Sequence, residues 1–245
     1  MAYDVAVIAS TVTGRRKLLD RSIRTWCDDA ERSGLRVAIR VYGDGCGACD
    51  SVVAAMEECH DVETFSTLKP SGSHVAGYNF WQHRVPANVY LFTHPEILFP
   101  AGTIGRASLT KPGEFTAFKC FWLPEDMTAD LDCYDWRHAA SLEAAPELFP
   151  RDPREHGEFY WNSDIRSIAR WESTTTHALH TEDAARIFPM PDFGEWGPDD
   201  PWHLAMRRQL GIRNQTVMDP VLFHQWHEHG EIDEAHVARI AQAAL

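Results

Sequence analysis

Apolar positions in the first hundred residues follow two alternating periods. Short apolar runs rich in β-branched residues predict strands, and they occur at 3–10, 35–43, 62–68 and 88–93. Helical spacing, with an apolar residue every three or four positions, fills the gaps between them, at 15–34, 49–60 and 73–85. Strands that alternate with helices predict an α/β domain with a mainly parallel central sheet and helices on both faces.

The first of these helices has the clearest pattern. Leu19, Ile23, Trp26 and Ala30 share one face, and Gly34 is a natural stop signal. Together with the strands before and after it, this helix predicts a βαβ unit.

The pattern loosens after Leu123. Pro, Asp and Glu are frequent from there to about residue 160, which predicts an insert with short helices. An aromatic segment at 158–171 is typical of strands in a smaller sheet. Three more helices are predicted: 181–188 with Thr181 as its cap, 201–211 between Pro201 and Gly211, and 232–245. We expect a single domain over residues 1–245.

Composition excludes several classes of protein. The net charge of −13 disfavours a general nucleic-acid binder, since phosphate contacts need Lys and Arg. No apolar run is long enough to span a membrane, and the first ten residues lack the features of a secretion signal, so a cytoplasmic protein is expected. We expect the six cysteines to be free thiols. Cys46 and Cys49 form a CxxC pair, but no second ligand pair supports a zinc site.

Polar residues follow two of the predicted strands. Asp44 comes after the second strand, while His94 and Glu96 come after the fourth. Ligands of such sheets bind at the carboxyl ends of the strands, so these residues are expected in one crevice. On an extended chain stiffened by Pro95, His94 and Glu96 would point to the same side and suit Mn or Zn. The alternatives are an ordinary β-turn at Asp44 and a solvated turn at 94–96.

Two later segments also carry candidate chemistry. Asp199 and Asp200 lie at a predicted helix start, where either one could act as a general base or both could simply favour the helix dipole. His224 and His227 have the spacing of one helical face, and His229 follows two residues later. Clustered histidines suit a metal site, and a surface run of histidines is the alternative.

Taken in order, five segments resemble the GT-A nucleotide-sugar glycosyltransferases, especially the large family 2-like group. "VAVIASTVTGRRKLLDRSIRTW" resembles the opening strand, loop and helix of that family, and "VYGDGCGACD" is similar to its V-DDGS stretch. "SGSHVAGYNFWQHRVPANVYLFTHPEILFPAG" resembles the run that ends in the DxD motif, with His94 and Glu96 on the two acids. "EWGPDDPWHLAMRR" resembles the ED…R motif, and "FHQWHEH" stands where many members supply a late metal-binding His.

This resemblance implies a Rossmann-like GT-A fold with a small acceptor-side sheet. Residues 1–105 would form the nucleotide-sugar half, and 106–245 the acceptor and catalytic half, with the insert at about 123–160. It further implies an inverting transfer from a nucleotide sugar, most consistent with a UDP-sugar, to an acceptor hydroxyl. The implied donor-binding residues are Ser10, Thr11, Arg15, Asp44, Asn79, His94 and Glu96.

The resemblance also assigns the remaining roles. Asp200, or else Asp199, would be the catalytic base. Glu96, His224 and His227 would hold a divalent metal, Mn²⁺ or Mg²⁺. Trp196 and Trp202 could stack on sugar faces, although each is more often a core aromatic. The acceptor could be a glycan, a protein, a small molecule or a modified nucleic-acid base.

The chain departs from the family pattern at the positions that matter for metal binding. His94 replaces the first acid of the DxD motif, Glu96 is one methylene longer than the second, and Gly43 replaces the first acid of the DDGS stretch. The spacing from the acidic pair to Arg207 is one residue longer than usual. A GT-A-like chain that only binds a nucleotide or glycan is therefore the rival hypothesis. A metal-dependent hydrolase would need a further ligand motif such as HExxH, which the sequence lacks.

Overall fold

The computed structural model describes residues 2–12, 14–47, 61–123, 125, 128, 176–191, 199–225 and 227. The strands are β1 (Tyr3–Val12), β2 (Val37–Asp44), β3 (Val62–Ser66), β4 (Ala87–Thr93), β5 (Ile97–Leu98), β6 (Glu114–Trp122), β7 (His177–His180) and β8 (Arg213–His224). The helices are α1 (Arg16–Ser33), α2 (Val75–Gln82), α3 (Thr103–Ala107), α4 (Thr181–Ile187) and α5 (Asp199–Leu210).

The first half of the sheet is parallel, as the alternating pattern predicts. The described strands form one sheet in the order β3-β2-β1-β4-β7-β6-β8-β5, and β3, β2, β1 and β4 all run in the same direction. Val12 pairs with Asp44 across β1 and β2, and Ala9 pairs with Thr93 across β1 and β4. The carboxyl ends of these strands therefore meet at one edge, where Asp44 and the turn after β4 lie.

The second half of the sheet is mixed. β7 is antiparallel to both β4 and β6, β8 is parallel to β6, and the short β5 is antiparallel to β8. Neither β6 nor β8 is predicted from the sequence. Pro220 lies inside β8, where a shift in register between Phe118 and Cys120 of β6 marks a bulge. Proline is tolerated at such a bulge because the ladder is already interrupted there.

Hydrophobic cores lie on both faces of the sheet. On one face α1 contributes Leu19, Ile23 and Trp26, all fully buried. Burying a large apolar side chain of this kind contributes about 1.5–3 kcal/mol. The helix ends at Gly34 in the left-handed region, as its stop signal predicts. The opposite core is rich in aromatic residues from α2, β4, β6 and the segment after α4: Tyr78, Trp81, Phe92, Phe115 and Phe188.

Gly77 lets α2 approach the sheet closely. A Cβ atom at this position would lie 2.7 Å from Tyr42 Cβ and 2.9 Å from Ser10 Cβ, distances that real side chains do not show. Glycine lowers helix propensity, but here its small size is what allows the helix to pack. The close packing brings the residues of α2 near the carboxyl edge of β1 and β2.

Some predicted boundaries change in the structure. The cap of α4 is His180, whose Nδ1 accepts a hydrogen bond from the Glu182 N–H, so the prediction of Thr181 as the cap is wrong by one residue. Helix α5 begins at Asp199, two residues before the predicted start. The helices predicted at 49–60 and 232–245 and the strands predicted at 158–171 lie outside the described residues. Within the described ranges, none of the helices is long and apolar enough to cross a membrane.

Candidate active site

The site is centred on Glu96, in the turn between β4 and β5. This turn is closed by the Ile97 N–H, which donates to the His94 carbonyl at 3.2 Å, so the chain is not extended here as predicted. The two side chains still converge, with His94 Nδ1 3.5 Å from Glu96 Oε1. Glu96 is only 4 % exposed, so the alternative of a solvated polar turn is wrong.

Strand β8 delivers the distant histidines to Glu96. The antiparallel pairing of β5 with β8 places Ile97 opposite His224. His224 Nε2 lies 3.6 Å and His227 Nε2 lies 3.5 Å from Glu96 Oε1. His224 is the last residue of a strand, so the prediction that these two histidines share a helical face is wrong, although both reach the same carboxylate.

Electrostatics at the site favour an ionised Glu96. Burial alone would raise the pKa of this carboxyl, but hydrogen bonds from His227 and His94 and the electrostatic effect of the facing His94 and His224 imidazoles hold it well below its usual range. Burial lowers the pKa of His224 to about 3, so its imidazole is neutral. Burial also raises the pKa of the nearby Cys120 thiol to about 12.

The arrangement fits a metal ion. Glu96, His224 and His227 each offer a ligand atom, and these atoms all lie within 4.8 Å of one another. His224 Nδ1 lies 2.9 Å from the Gln225 carbonyl oxygen. A neutral imidazole that donates from Nδ1 to a carbonyl keeps the lone pair on Nε2, the nitrogen that faces Glu96.

A buried polar network, built around Gln225, fastens the site to α1. The Gln225 side chain donates to the Leu18 carbonyl at 3.1 Å and to Ser22 Oγ at 2.9 Å, and it accepts from Arg21 at 3.1 Å. Its backbone N–H donates to the Glu96 carbonyl at 2.9 Å. Gln225 is fully buried and holds both halves of the site, yet the sequence analysis does not single it out.

The same face of α1 holds the segment after Glu96. Trp26 Nε1 donates to the Ile97 carbonyl at 2.8 Å, and Thr25 Oγ1 accepts from the Phe99 N–H at 2.9 Å. Asp29 accepts from the N–H groups of Gly102 and Ile104 at 2.6 and 2.7 Å, and burial raises the pKa of its carboxyl. The signal in the sequence is a polar stripe at helical spacing: Arg21, Ser22, Thr25 and Asp29.

The predicted donor residues lie at the same edge of the sheet. Asp44 ends β2, and its carboxylate accepts from the Ser71 N–H at 2.7 Å, the Ser71 hydroxyl at 3.1 Å and the Gly72 N–H at 3.0 Å. Asp44 thus orders the loop before α2. Ser10 and Thr11 are buried near the end of β1, and Arg15 directly precedes α1.

Asn79 makes a long-range contact. Its amide donates to the Met190 carbonyl at 2.7 Å and accepts from the Met190 N–H at 2.8 Å. This two-point pairing ties α2 to the segment that follows α4. The donor-binding role of Asn79 stays a prediction, while its structural role in joining these two segments is shown by this contact.

The predicted catalytic residues are described only in part. Asp199 and Asp200 form the first turn of α5, and their side chains lie outside the described part of the chain. Trp196 also lies outside it. Trp202 is partly buried and packs against the aromatic core beside α2. Their roles therefore stay predictions.

A second group of buried histidines supports α5. His203, one turn into the helix, packs against His177 of β7 with ring centroids 5.1 Å apart, and Arg207 lies over the Phe115 ring at 3.6 Å. Arg207 also donates to Asn214 Oδ1 at 2.8 Å. Burial, with the nearby His177 and Arg207, holds the pKa of His203 well below its usual range. These residues anchor the helix that carries the acidic pair.

No protein-family model and no curated protein matches the sequence. Solved structures do match the fold. Residues 1–349 of S. aureus TarS in complex with UDP-GlcNAc superpose with a TM-score of 0.67 at 13 % identity, covering 100 % of this chain and 66 % of that one. Mannosyltransferase PcManGT from Pyrobaculum calidifontis, in complex with GDP-Man and Mn²⁺, superposes with a TM-score of 0.61 at 16 % identity, covering 99 % and 61 %.

This chain spans slightly less than two thirds of the length of each of these proteins. At such low identity the likeness speaks to the fold and leaves activity open. The fold expected from the sequence is confirmed: the chain has the GT-A fold, with a mostly parallel central sheet surrounded by helices, as in nucleotide-sugar glycosyltransferases.

Proposed function

We propose that this protein is a glycosyltransferase that moves a sugar from a nucleotide-sugar donor to an acceptor hydroxyl. The observation that carries the proposal is the buried Glu96 at the carboxyl end of β4, with His224 and His227 at 3.6 and 3.5 Å. In a parallel sheet this edge is where ligands bind. The solved structures with the same fold include complexes with UDP-GlcNAc and with GDP-Man.

The nucleotide would bind beside Asp44, with Ser10, Thr11 and Arg15 next to it and Asn79 behind. The edge formed by β1 and β2 and the close approach of α2 through Gly77 support this placement. Asp44 keeps acceptor capacity for a base N–H or a ribose hydroxyl, because a carboxylate has about four lone-pair sites and the described residues occupy three of them. A UDP-sugar is the donor that the resemblance favours.

The residues present fit a divalent metal at Glu96, His224 and His227. Mn²⁺ and Mg²⁺ are the ions expected from the family resemblance. A bound ion would neutralise the charge that builds on the departing diphosphate. His94 lies beside Glu96 and would face the same diphosphate from the other side.

The chemical step is proposed for the start of α5. Asp200, or else Asp199, takes the proton of the acceptor hydroxyl, and the acceptor oxygen attacks the anomeric carbon in line as the bond to the diphosphate oxygen breaks. Attack from the face opposite the leaving group inverts the anomeric centre. The buried packing of His203 and Arg207 supports this role, because it fixes the helix on which both carboxylates lie.

A thermal-shift screen of nucleotide sugars, each with and without Mn²⁺, tests the donor. A ligand that binds only the folded state raises the melting temperature, so the true donor should stand out and its effect should depend on the metal. The screen is followed by an assay for slow donor hydrolysis, which needs no acceptor. If no nucleotide sugar shifts the melting temperature under either condition, the proposal is wrong.

A protein that binds a nucleotide or glycan without chemistry is the second candidate. The observation that favours it is His94 in place of the first acid of the DxD motif. Donor binding with neither hydrolysis nor sugar transfer, in the presence of a range of acceptor hydroxyl compounds, would support this second candidate.

A further inference from the structure

The donor set at Glu96 has a distinct chemical character. It consists of one carboxylate oxygen and two imidazole nitrogens, Nε2 of His224 and Nε2 of His227. Mg²⁺ prefers oxygen ligands and is usually held by one or two carboxylates together with substrate phosphates. Imidazole suits zinc and the later transition metals, and one Glu with two His is a zinc-binding set.

The distances between the ligand atoms also bear on the coordination geometry of a bound ion. Glu96 Oε1 lies 3.5 Å from His227 Nε2 and 3.6 Å from His224 Nε2. With metal–ligand bonds of about 2.05 Å, neighbouring ligands are about 3.3 Å apart in a tetrahedron. With similar bond lengths they are about 2.9 Å apart in an octahedron. Both separations from Glu96 exceed the two ideal values and lie nearer the tetrahedral one, and all three ligand atoms lie within 4.8 Å of one another, so an ion would draw them closer together.

The ligands are held in place before any ion arrives. Glu96 and His224 are 4 % and 2 % exposed, and the pairing of β5 with β8 fixes their backbones side by side. Gln225 ties both to α1, and its carbonyl fixes the tautomer of His224. Little conformational entropy remains to be lost when these atoms bind an ion, so the protein alone can supply the affinity.

From these observations we propose that Glu96, His224 and His227 form a three-ligand, tetrahedral site for a zinc-class ion, Zn²⁺ or Co²⁺, in preference to Mg²⁺ and Mn²⁺. The ion binds before the donor, and the fourth position stays open for an oxygen of the donor diphosphate. This last clause rests on the proposed glycosyltransferase function, whereas the ion preference and the binding order do not.

Titration of the chelator-treated full chain with Co²⁺ tests the proposal without an activity assay. The expected result is the intense visible absorption of four-coordinate Co²⁺, at one equivalent and without nucleotide. Zn²⁺ should abolish the signal, whereas Mg²⁺ in large excess should leave it unchanged. Calorimetry should show Mn²⁺ binding at least ~100-fold more weakly than Zn²⁺, following the Irving–Williams order at a nitrogen-rich site.

Variants identify the ligands. Glu96→Gln and His227→Ala should each weaken Co²⁺ binding by at least ~10–100-fold, since even indirect changes to a metal site have effects of that size. His83→Ala is the matched control, because His83 is exposed at the end of α2. His227 is more exposed than Glu96, so its variant is the one most certain to fold, and circular dichroism checks both.

Two outcomes would overturn the inference: Mg²⁺ binding as tightly as Zn²⁺, or no ion binding until a nucleotide is added. Adding UDP to the Co²⁺ form separates this inference from the proposed function. A change in the cobalt spectrum supports both. An unchanged spectrum with Co²⁺ still bound leaves the zinc-class site standing and counts against the donor role of that site.

Discussion

Two groups of histidines in the described part of the chain differ in what surrounds them. His224 and His227 face the carboxylate of Glu96 across 3.6 and 3.5 Å. His203 instead packs against His177 and near Arg207, and both of its ring nitrogens are buried without a hydrogen-bond partner among the described residues. The first group is arranged to hold a cation, whereas in the second group His203 is kept neutral by its lowered pKa and packs as an aromatic ring would.

The comparison shows that the charged groups around a buried histidine decide whether it favours a nearby positive charge or stays neutral. Around Glu96 the negative charge favours positive charge nearby, which suits either a metal ion or a protonated imidazole. Around His203 the guanidinium of Arg207 and the ring of His177 oppose protonation, and burial opposes it further. We expect the first group to control ligand binding and the second to control the stability of α5.

Asp200→Asn should have the largest effect. If α5 carries the base, transfer should fall by at least ~10²–10⁴-fold, because the acceptor hydroxyl loses its proton acceptor. Donor affinity, measured by calorimetry, should stay nearly unchanged, since Asp200 is not among the proposed donor-binding residues. Asp199→Asn is the matched control with a smaller loss. Unchanged turnover in Asp200→Asn, together with a large loss in Asp199→Asn, would reassign the base.

Gln225→Leu should show how far the stability of the protein depends on the hydrogen bonds that Gln225 makes beside Glu96. The substitution removes one acceptor of the buried Arg21 and the donor to both Ser22 Oγ and the Leu18 carbonyl. A buried group left without a partner costs about 1–3 kcal/mol, so we expect a total loss of about 2–4 kcal/mol in the free energy of unfolding. Urea denaturation measures it. A loss below 1 kcal/mol would mean that water replaces the side chain.

Acid should destabilise the metal-free protein, and both groups should contribute. The pKa of His203 and of His224 lies below 6.5 in the folded chain, and that of His224 is lowered to about 3. The unfolded chain therefore binds more protons below pH 6.5, and the free energy of unfolding falls as pH is lowered. Two histidines give a slope of up to ~2.7 kcal/mol per pH unit. The contribution of Glu96 is lost only below pH 4.5, because its folded pKa is depressed.

Urea denaturation of the chelator-treated protein between pH 7.5 and about 5 checks this slope. The chelator is needed because acid protonates the ligands of a bound metal and releases it, which would add a second pH dependence. A free energy of unfolding that stays constant, or rises, as the pH is lowered would contradict the assignment of both histidines as neutral.

His203→Leu should have the smallest effect at neutral pH. Replacing a neutral, unpartnered imidazole by an apolar side chain of similar size changes stability by less than about 1.5 kcal/mol. The slope of the free energy of unfolding against pH should fall by about half, because one of the two buried histidines is gone. His224→Leu is the comparison variant, and it should also lower metal affinity. A large loss of stability at neutral pH in His203→Leu would show that this imidazole makes an essential polar contact.

The parallel half of the fold is predictable from local sequence because its strands and helices are short and strongly periodic. β1 to β4 and α1 appear within a few residues of their predicted bounds. The mixed half is harder to predict. Pro220 argues against a strand, and β8 tolerates it only through a bulge opposite β6.

The site itself depends on pairing between distant segments. Glu96 and His224 come together because β5 pairs with β8, and no local pattern specifies that pairing. Glu96 was indicated by its place after the fourth predicted strand and His224 by the clustering of histidines, while the family resemblance indicated both as metal ligands. The role of Gln225 is not predicted from the sequence, because a single buried glutamine after a strand has no periodic signature. The polar stripe on α1 was present in the sequence, but the partners of Thr25 and Asp29 are 73–75 residues away, and Gln225, the partner of Arg21 and Ser22, is 203–204 residues away.

The same long separation governs how the protein is made. Leu18 and Ser22 emerge from the ribosome early, while Gln225 is synthesised 207 and 203 residues later. During most of translation Leu18 and Ser22 therefore lack this partner, whereas Thr25 and Asp29 of the same helix meet theirs once residues 99–104 are made. A nascent or prematurely terminated chain that ends before residue 224 carries Glu96 without the late histidines. The complete ligand set is present only in a chain that extends at least to residue 227, so metal retention would report that synthesis has passed that residue.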